Sequence, residues 1–155
     1  MTSSTKALAA LLTADNILLD LDVANKTQLF DALGPLLQSQ PALAHLPLPD
    51  CLKAREQLGS TAIGAGVAVP HSRVRGLEQA LALYIRPRTP IPFDAPDGKL
   101  VAHIVVIFVP EQATHAHLQL LAGVAELFQD SRVKDELRAC IDANSVARLF
   151  TEWSA

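Results

Sequence analysis

The chain has 155 residues, half of them hydrophobic, with 13 Lys and Arg against 16 Asp and Glu, a net charge of −3 and 5% aromatic residues. That length and apolar content supply one core able to bury roughly 70% of the unfolded surface without disulfides or a structural metal, and they exclude a mostly disordered chain. The acidic balance and scarce aromatics exclude the basic, stacking surface that nucleic acids require, so neither DNA nor RNA is an expected partner.

The amino terminus, MTSSTKALAALLTADN, carries one lysine and then the short run LAALL, too brief for the apolar region of an export signal. The longest later run, Ile104 to Val109, is strand-sized, and no membrane insertion is expected. Cys51 and Cys140 stand far apart with no CxxC spacing, as packing thiols of a reduced, cytoplasmic protein do. The expected organisation is one domain over residues 1–155, its core running from about residue 14 and residues 1–13 forming an amino-terminal extension.

In chain order, Asn16 to Leu21 reads as a strand. Asn25 with Gln28 three residues on forms a capping-box-like start for a helix whose apolar side is Leu29, Phe30, Leu33, Leu36 and Leu37, disturbed by Gly34-Pro35. Gln40 to Pro49 reads as a loop, and Asp50 as the cap of a short helix through Leu58 that stops at Gly59. From Gly59 to His71 the glycines and small residues leave no helical period, which predicts a loop with extended pieces. Ala80 to Arg86 and Leu100 to Val109 read as strands on either side of an Asp97-Gly98 hairpin-type turn, with Pro110 closing the second. Thr114 caps a helix to Phe128, another follows Asp130, and Ser145 caps a last one through Trp153. Strands interleaved with helices, and one antiparallel pair, define an α/β domain with a mixed sheet flanked by helices.

The chemistry concentrates in Arg55-Glu56-Gln57-Leu58-Gly59-Ser60-Thr61-Ala62-Ile63-Gly64-Ala65-Gly66-Val67-Ala68-Val69-Pro70-His71. Gly59, Gly64 and Gly66 let backbone N–H groups approach an anion, Ser60 and Thr61 add hydroxyls, and Arg55 adds a guanidinium fork, so the loop is a candidate phosphate cradle. Pro70 holds His71 at a defined angle, and a neutral imidazole is a competent nucleophile. The GxxxxG spacing of Gly59 and Gly64 is followed by Ala65-Gly66 instead of Lys-Ser/Thr, which excludes a nucleotide P-loop. Gly64-x-Gly66 meets Val69 where a dinucleotide fingerprint needs glycine. His115 and His117, two apart on a helix, point about 200° from each other, so at most one joins the site. No ligand set completes around them, and no metal or cofactor is expected. His103 lies in an apolar strand pattern and reads as structural, and His45 as a loop residue.

The run REQLGSTAIGAGVAVPH resembles the active-site signature of enzyme IIA domains of the bacterial phosphoenolpyruvate-dependent phosphotransferase system, of the fructose/mannitol type. The likeness extends over most of the chain, through NILLDL, the strand before Pro110 and the helix HLQLLAGVAELF, and is greatest toward the nitrogen-regulatory branch. It implies the mannitol-type enzyme IIA fold, a phosphotransferase activity, phosphorylation of His71 at Nε2 by an HPr-like donor protein, and Arg55 and His117 as its companions. It also implies downstream regulatory partners, such as potassium-transport or sensor-kinase components. The chain departs from the family pattern at Ala62, Ala65 and Ser72, where glycine, asparagine and glycine are usual; alanine at position 62 is strained if that site needs φ > 0. Three functions are open at this point. They are a regulatory phosphocarrier, favoured by a chain with no fused second component, a sugar-specific IIA component passing phosphate to a IIB partner, and an adaptor that transfers poorly.

Overall fold

The computed structural model describes residues 3–154. It contains β1 (Ile17–Leu21), β2 (Ala62–Gly64), β3 (Val67–Ala68), β4 (His71–Val74), β5 (Leu81–Pro87) and β6 (His103–Pro110). The helices are α1 (Ser3–Leu11), α2 (Lys26–Gln38), α3 (Leu48–Gln57), α4 (His115–Leu127), α5 (Ser131–Ala139) and α6 (Ala143–Ser154). One six-stranded sheet runs β1-β5-β6-β3-β2, with β4 also on β6. The β1–β5, β3–β6 and β4–β6 pairs are parallel and the β5–β6 and β2–β3 pairs antiparallel, so the sheet is mixed as expected.

Helices cover both faces. Leu83, Ile85, Ile104, Val106 and Phe108 face α2 and α3, where Leu29, Phe30, Leu33 and Leu52 pack. Ala82, Tyr84, Val105, Ile107 and Val109 face the other layer, with Leu8, Leu120, Val124, Val133 and Phe150. A strand buried on both faces has no polar side to alternate, which is why β6 reads as an unbroken apolar run. Within the segment read as an extension, α1 and Leu12 are part of this second layer: Leu8 and Leu12 are fully buried, and a side chain on Gly123 of α4 would come within 2.7 Å of the Ser4 carbonyl in α1.

Several boundaries move for local reasons. Helix α3 starts at Leu48, two residues before the expected Asp50 cap, because Pro49 sits in the first turn, where the N–H it lacks would have had no partner. Helix α6 starts at Ala143 because Asp142, not Ser145, supplies the capping oxygen, accepting from the Ser145 amide at 2.7 Å. Strand β6 starts at His103 instead of Leu100; Val101 only bridges Ile91 within a long excursion over residues 88–102 that has the Asp97-Gly98 turn at its tip. At the sheet's end, β1 shifts register between Leu19 and Leu21, where Asp20 takes a φ of 57°.

His103 is structural, as expected, and only 1% exposed. Its Nδ1 lies 2.8 Å from the Tyr84 hydroxyl, and its Nε2 is buried with no hydrogen-bond partner among the described residues. Burial, helped by the positive charges of Arg138, Lys134 and Arg86, lowers its pKa to about 4. Between that value and the ordinary 6.5 the unfolded chain binds more protons than the native one, so stability falls as pH drops through this window. Unfolding free energy is expected to be full above pH 6.5 and to lose about 3 kcal/mol toward pH 4. Urea titrations across that range should show this slope, and His103→Gln should flatten it.

Candidate active site

Strands β3 and β4 are one path along the edge of β6, interrupted at Val69-Pro70. Pro70 has no N–H to give, while its carbonyl accepts from Ile107 at 2.9 Å and the Val69 amide turns away to the Thr61 carbonyl at 2.9 Å. The break leaves the Val69 carbonyl free to meet the next side chain, and His71 Nδ1 lies 2.7 Å from it. A carbonyl only accepts, so Nδ1 carries the proton and Nε2 of the neutral ring keeps its lone pair.

His71 opens into a cleft of about 570 Å³ between α3 and α4, lined among others by Cys51, Arg55, Arg73, His117 and Leu121. The second histidine is positioned by the start of α4. Its Nδ1 accepts from the Thr114 amide at 3.2 Å, a capping box in which histidine stands where Glu or Gln is usual. That bond puts the neutral ring's proton on Nε2. The two imidazoles thus take opposite tautomers, and the cleft combines an Nε2 acceptor on His71 with an Nε2–H donor on His117. His115 points outward, 3.0 Å from the Gln119 amide nitrogen, and stays exposed.

Arg55 ends α3, its Nη1 donating to the Gly59 carbonyl at 3.0 Å. Its neighbour Glu56 turns inward and is the residue that sequence reasoning missed. Buried to 8% exposure, Glu56 accepts from the Thr61 amide at 3.1 Å and the Thr61 hydroxyl at 2.6 Å, and pairs with Lys26 at 3.1 Å. A glutamate in the last turn of a helix, six residues before the next strand, is an ordinary surface residue by sequence, and Lys26 lies 30 positions away. The Ser60 hydroxyl donates to the Phe93 carbonyl and accepts from the Ala62 amide at 3.1 Å. Ser60 and Thr61 do stand beside His71, in a smaller hollow next to the cleft, but both hydroxyl protons are spent inside the protein.

Gly64 and Gly66 are not brought to His71. Residues 64, 65 and 66 have φ of 93°, 55° and 82°, a tight turn between β2 and β3 clamped from far along the chain. Asp97 Oδ2 accepts from the Ala65 amide at 2.8 Å, and Lys134 Nζ donates to the Ala65 carbonyl at 3.1 Å. The left-handed strain thus falls on Ala65, where asparagine is usual, while Ala62 lies in β2 without a positive φ. Ala65→Gly is expected to raise unfolding free energy by about 1 kcal/mol, measured by urea denaturation.

Cys51 lies half-buried in the cleft, its thiol pushed up by burial and by the Asp50 charge, which keeps it protonated and a poor nucleophile. Among the described residues, no group of His, Cys, Asp or Glu converges as metal ligands. No helix among them is long and apolar enough to cross a membrane.

A mixed sheet covered on both faces thus carries one cleft that brings together two histidines, His71 and His117, and two arginines, Arg55 and Arg73. Over residues 10–153 the chain matches the family described as phosphoenolpyruvate-dependent sugar phosphotransferase system, EIIA 2, and it belongs to that family. It is 31% identical to a nitrogen regulatory protein of Pseudomonas aeruginosa, covering 94% of this chain and 95% of that protein. The crystal structure of nitrogen regulatory protein IIA-Ntr from Neisseria meningitidis superposes with a TM-score of 0.85 at 41% identity, covering 94% of this chain and 99% of that one. IIA mannitol of Escherichia coli shares the fold, with a TM-score of 0.70 at 19% identity over 88% of this chain and 96% of that one.

Proposed function

We propose that this protein is a cytoplasmic phosphohistidine carrier, accepting a phosphoryl group on His71 Nε2 from an HPr-like donor and regulating partner proteins according to its phosphorylation state. The observation that carries this reading is the hydrogen bond from His71 Nδ1–H to the Val69 carbonyl, which leaves Nε2 as the nucleophile. In the transfer the donor's P–N bond breaks, its imidazole keeps the electron pair, and a new P–N bond forms to His71 Nε2. The His71 ring becomes cationic, and the Val69 carbonyl holds that charge at Nδ1. Arg55 and the Nε2–H of His117 face the phosphoryl oxygens, where charge develops.

The cleft's rim also suits a protein donor better than a small molecule. Leu58 and Leu118 are exposed around it and Ile63 beside the adjoining hollow, Leu58 to 84%. Apolar side chains around a reactive centre are the usual makings of a docking patch. Phosphorylation adds about two negative charges in the middle of that patch, enough to change which proteins it accepts. The near full-length likeness to nitrogen regulatory proteins favours regulation over sugar uptake.

The test is incubation with enzyme I, an HPr-like donor and phosphoenolpyruvate, followed by intact-mass spectrometry. One added, acid-labile phosphoryl group is expected. No adduct with several competent donors would overturn the carrier reading in favour of an adaptor.

A further inference from the structure

We propose that Arg73 is a second guanidinium for the phosphoryl group, acting beside Arg55; the inference rests on the carrier reading above. Strand β4 runs parallel to β6 with His71 beside Ile107 and Arg73 beside Val109. Residues two apart on a strand share a face, about 6.6 Å apart along it. His71 and Arg73 therefore leave the sheet on the side that carries Ile107 and Val109, and all four line the one cleft.

Arg73 is exposed, and its Nη1 donates to the Glu111 carbonyl at 3.2 Å, in the turn that leads to Thr114 and α4. This contact ties the guanidinium to the segment that presents His117. Its other N–H groups have no partner among the described residues. Arg75, one strand repeat further on, differs on both counts: its Nε is paired with the Glu111 carboxylate at 3.3 Å and it does not line the cleft. The cleft lining holds two arginines and two histidines and no carboxylate. An uncompensated cationic cavity with a nucleophilic imidazole at its wall accommodates a dianion, and a guanidinium fork matches phosphoryl oxygens in geometry as well as charge. The phosphohistidine product supplies that dianion.

The experiment compares wild type, Arg73→Ala, Arg73→Lys and Arg75→Ala in two measurements. One is the rate of phosphoryl uptake as a function of donor concentration. The other is titration with inorganic phosphate, followed through the ring NMR signals of His71 and His117 without any donor. Arg73→Ala is expected to lower the rate at saturating donor about 10- to 100-fold. Arg73→Lys should recover part of it, and Arg75→Ala should stay within about twofold. Phosphate affinity should fall in Arg73→Ala and not in Arg75→Ala. The proposal is overturned if Arg73→Ala keeps its maximal rate and only needs more donor, since the arginine is then a docking charge. Unchanged phosphate affinity in Arg73→Ala overturns it as well. A wild type that takes no phosphoryl group defeats the carrier reading instead, and the phosphate titration then decides Arg73 alone.

Discussion

With His71 replaced by alanine, phosphoryl uptake from enzyme I, an HPr-like donor and phosphoenolpyruvate is expected to fall on the order of a thousandfold or more, to background. The variant should remain folded. His71 is half-buried at the first position of β4, and that strand is held to β6 by backbone pairing and by the bond from Ile107 to the Pro70 carbonyl, neither of which needs the imidazole. His117→Ala should be milder, on the order of a hundredfold, because it removes one donor to the transferring group and leaves the nucleophile. Time-resolved intact-mass measurements on the three proteins separate these outcomes. A His71→Ala protein that still acquires an acid-labile phosphoryl group would move the acceptor to another histidine, with His117 the first to examine.

The second large effect concerns Glu56. Glu56→Ala is expected to lower unfolding free energy by about 3 kcal/mol or more, since it leaves the buried Thr61 amide and hydroxyl without their acceptor and Lys26 with only exposed Asp94. It should also slow phosphoryl uptake. Glu56 is what fastens the start of the 59–64 segment to the end of α3, so its loss frees the backbone that Arg55 grips at Gly59. Glu56→Gln keeps a partner for the Thr61 hydroxyl and should fall between the two. Urea unfolding with an unchanged m-value measures the stability term; a loss below about 1 kcal/mol for Glu56→Ala would show that water replaces the carboxylate at Thr61.

The elements with strong local signals were legible from residues alone. The apolar run of β6, the Asn25 start of α2 and the Thr114 start of α4 needed only near neighbours to specify them. Arg55, His71 and His117 do meet in one cleft, with His115 turned out, because helix and strand periodicity determine which way each side chain leaves its element. What stayed hidden depends on distant partners. The small residues at 64–66 look like a phosphate cradle until Asp97 and Lys134, 32 and 69 positions from Ala65, take up its amide and carbonyl. Thr61 and Ser60 look like anion donors until Glu56 and the Phe93 carbonyl claim their hydroxyls. Residues 1–13 carry too short an apolar pattern to reveal a core helix, and only the glycine at position 123 of α4 lets that helix come close. Arg73 has no motif of its own; its place in the cleft follows from the strand register with β6.

An open sheet has two ends, and each is a template on which other chains can add strands. Here both are blunted. On one side the free edges are β2, three residues long and running straight into the clamped 64–66 turn, and β4, four residues long, both too short to hold an added strand. On the other, the extra residue at Asp20 kinks β1 between Leu19 and Leu21, and its carboxylate leans back toward Arg86 at 3.7 Å. An incoming strand would lose its ladder at that kink and meet the charges of Asp20 and Asp22. Stacking of sheets edge to edge is thus disfavoured on both sides, which leaves the side-chain surface of the molecule, the rim of the cleft included, as the face open to association.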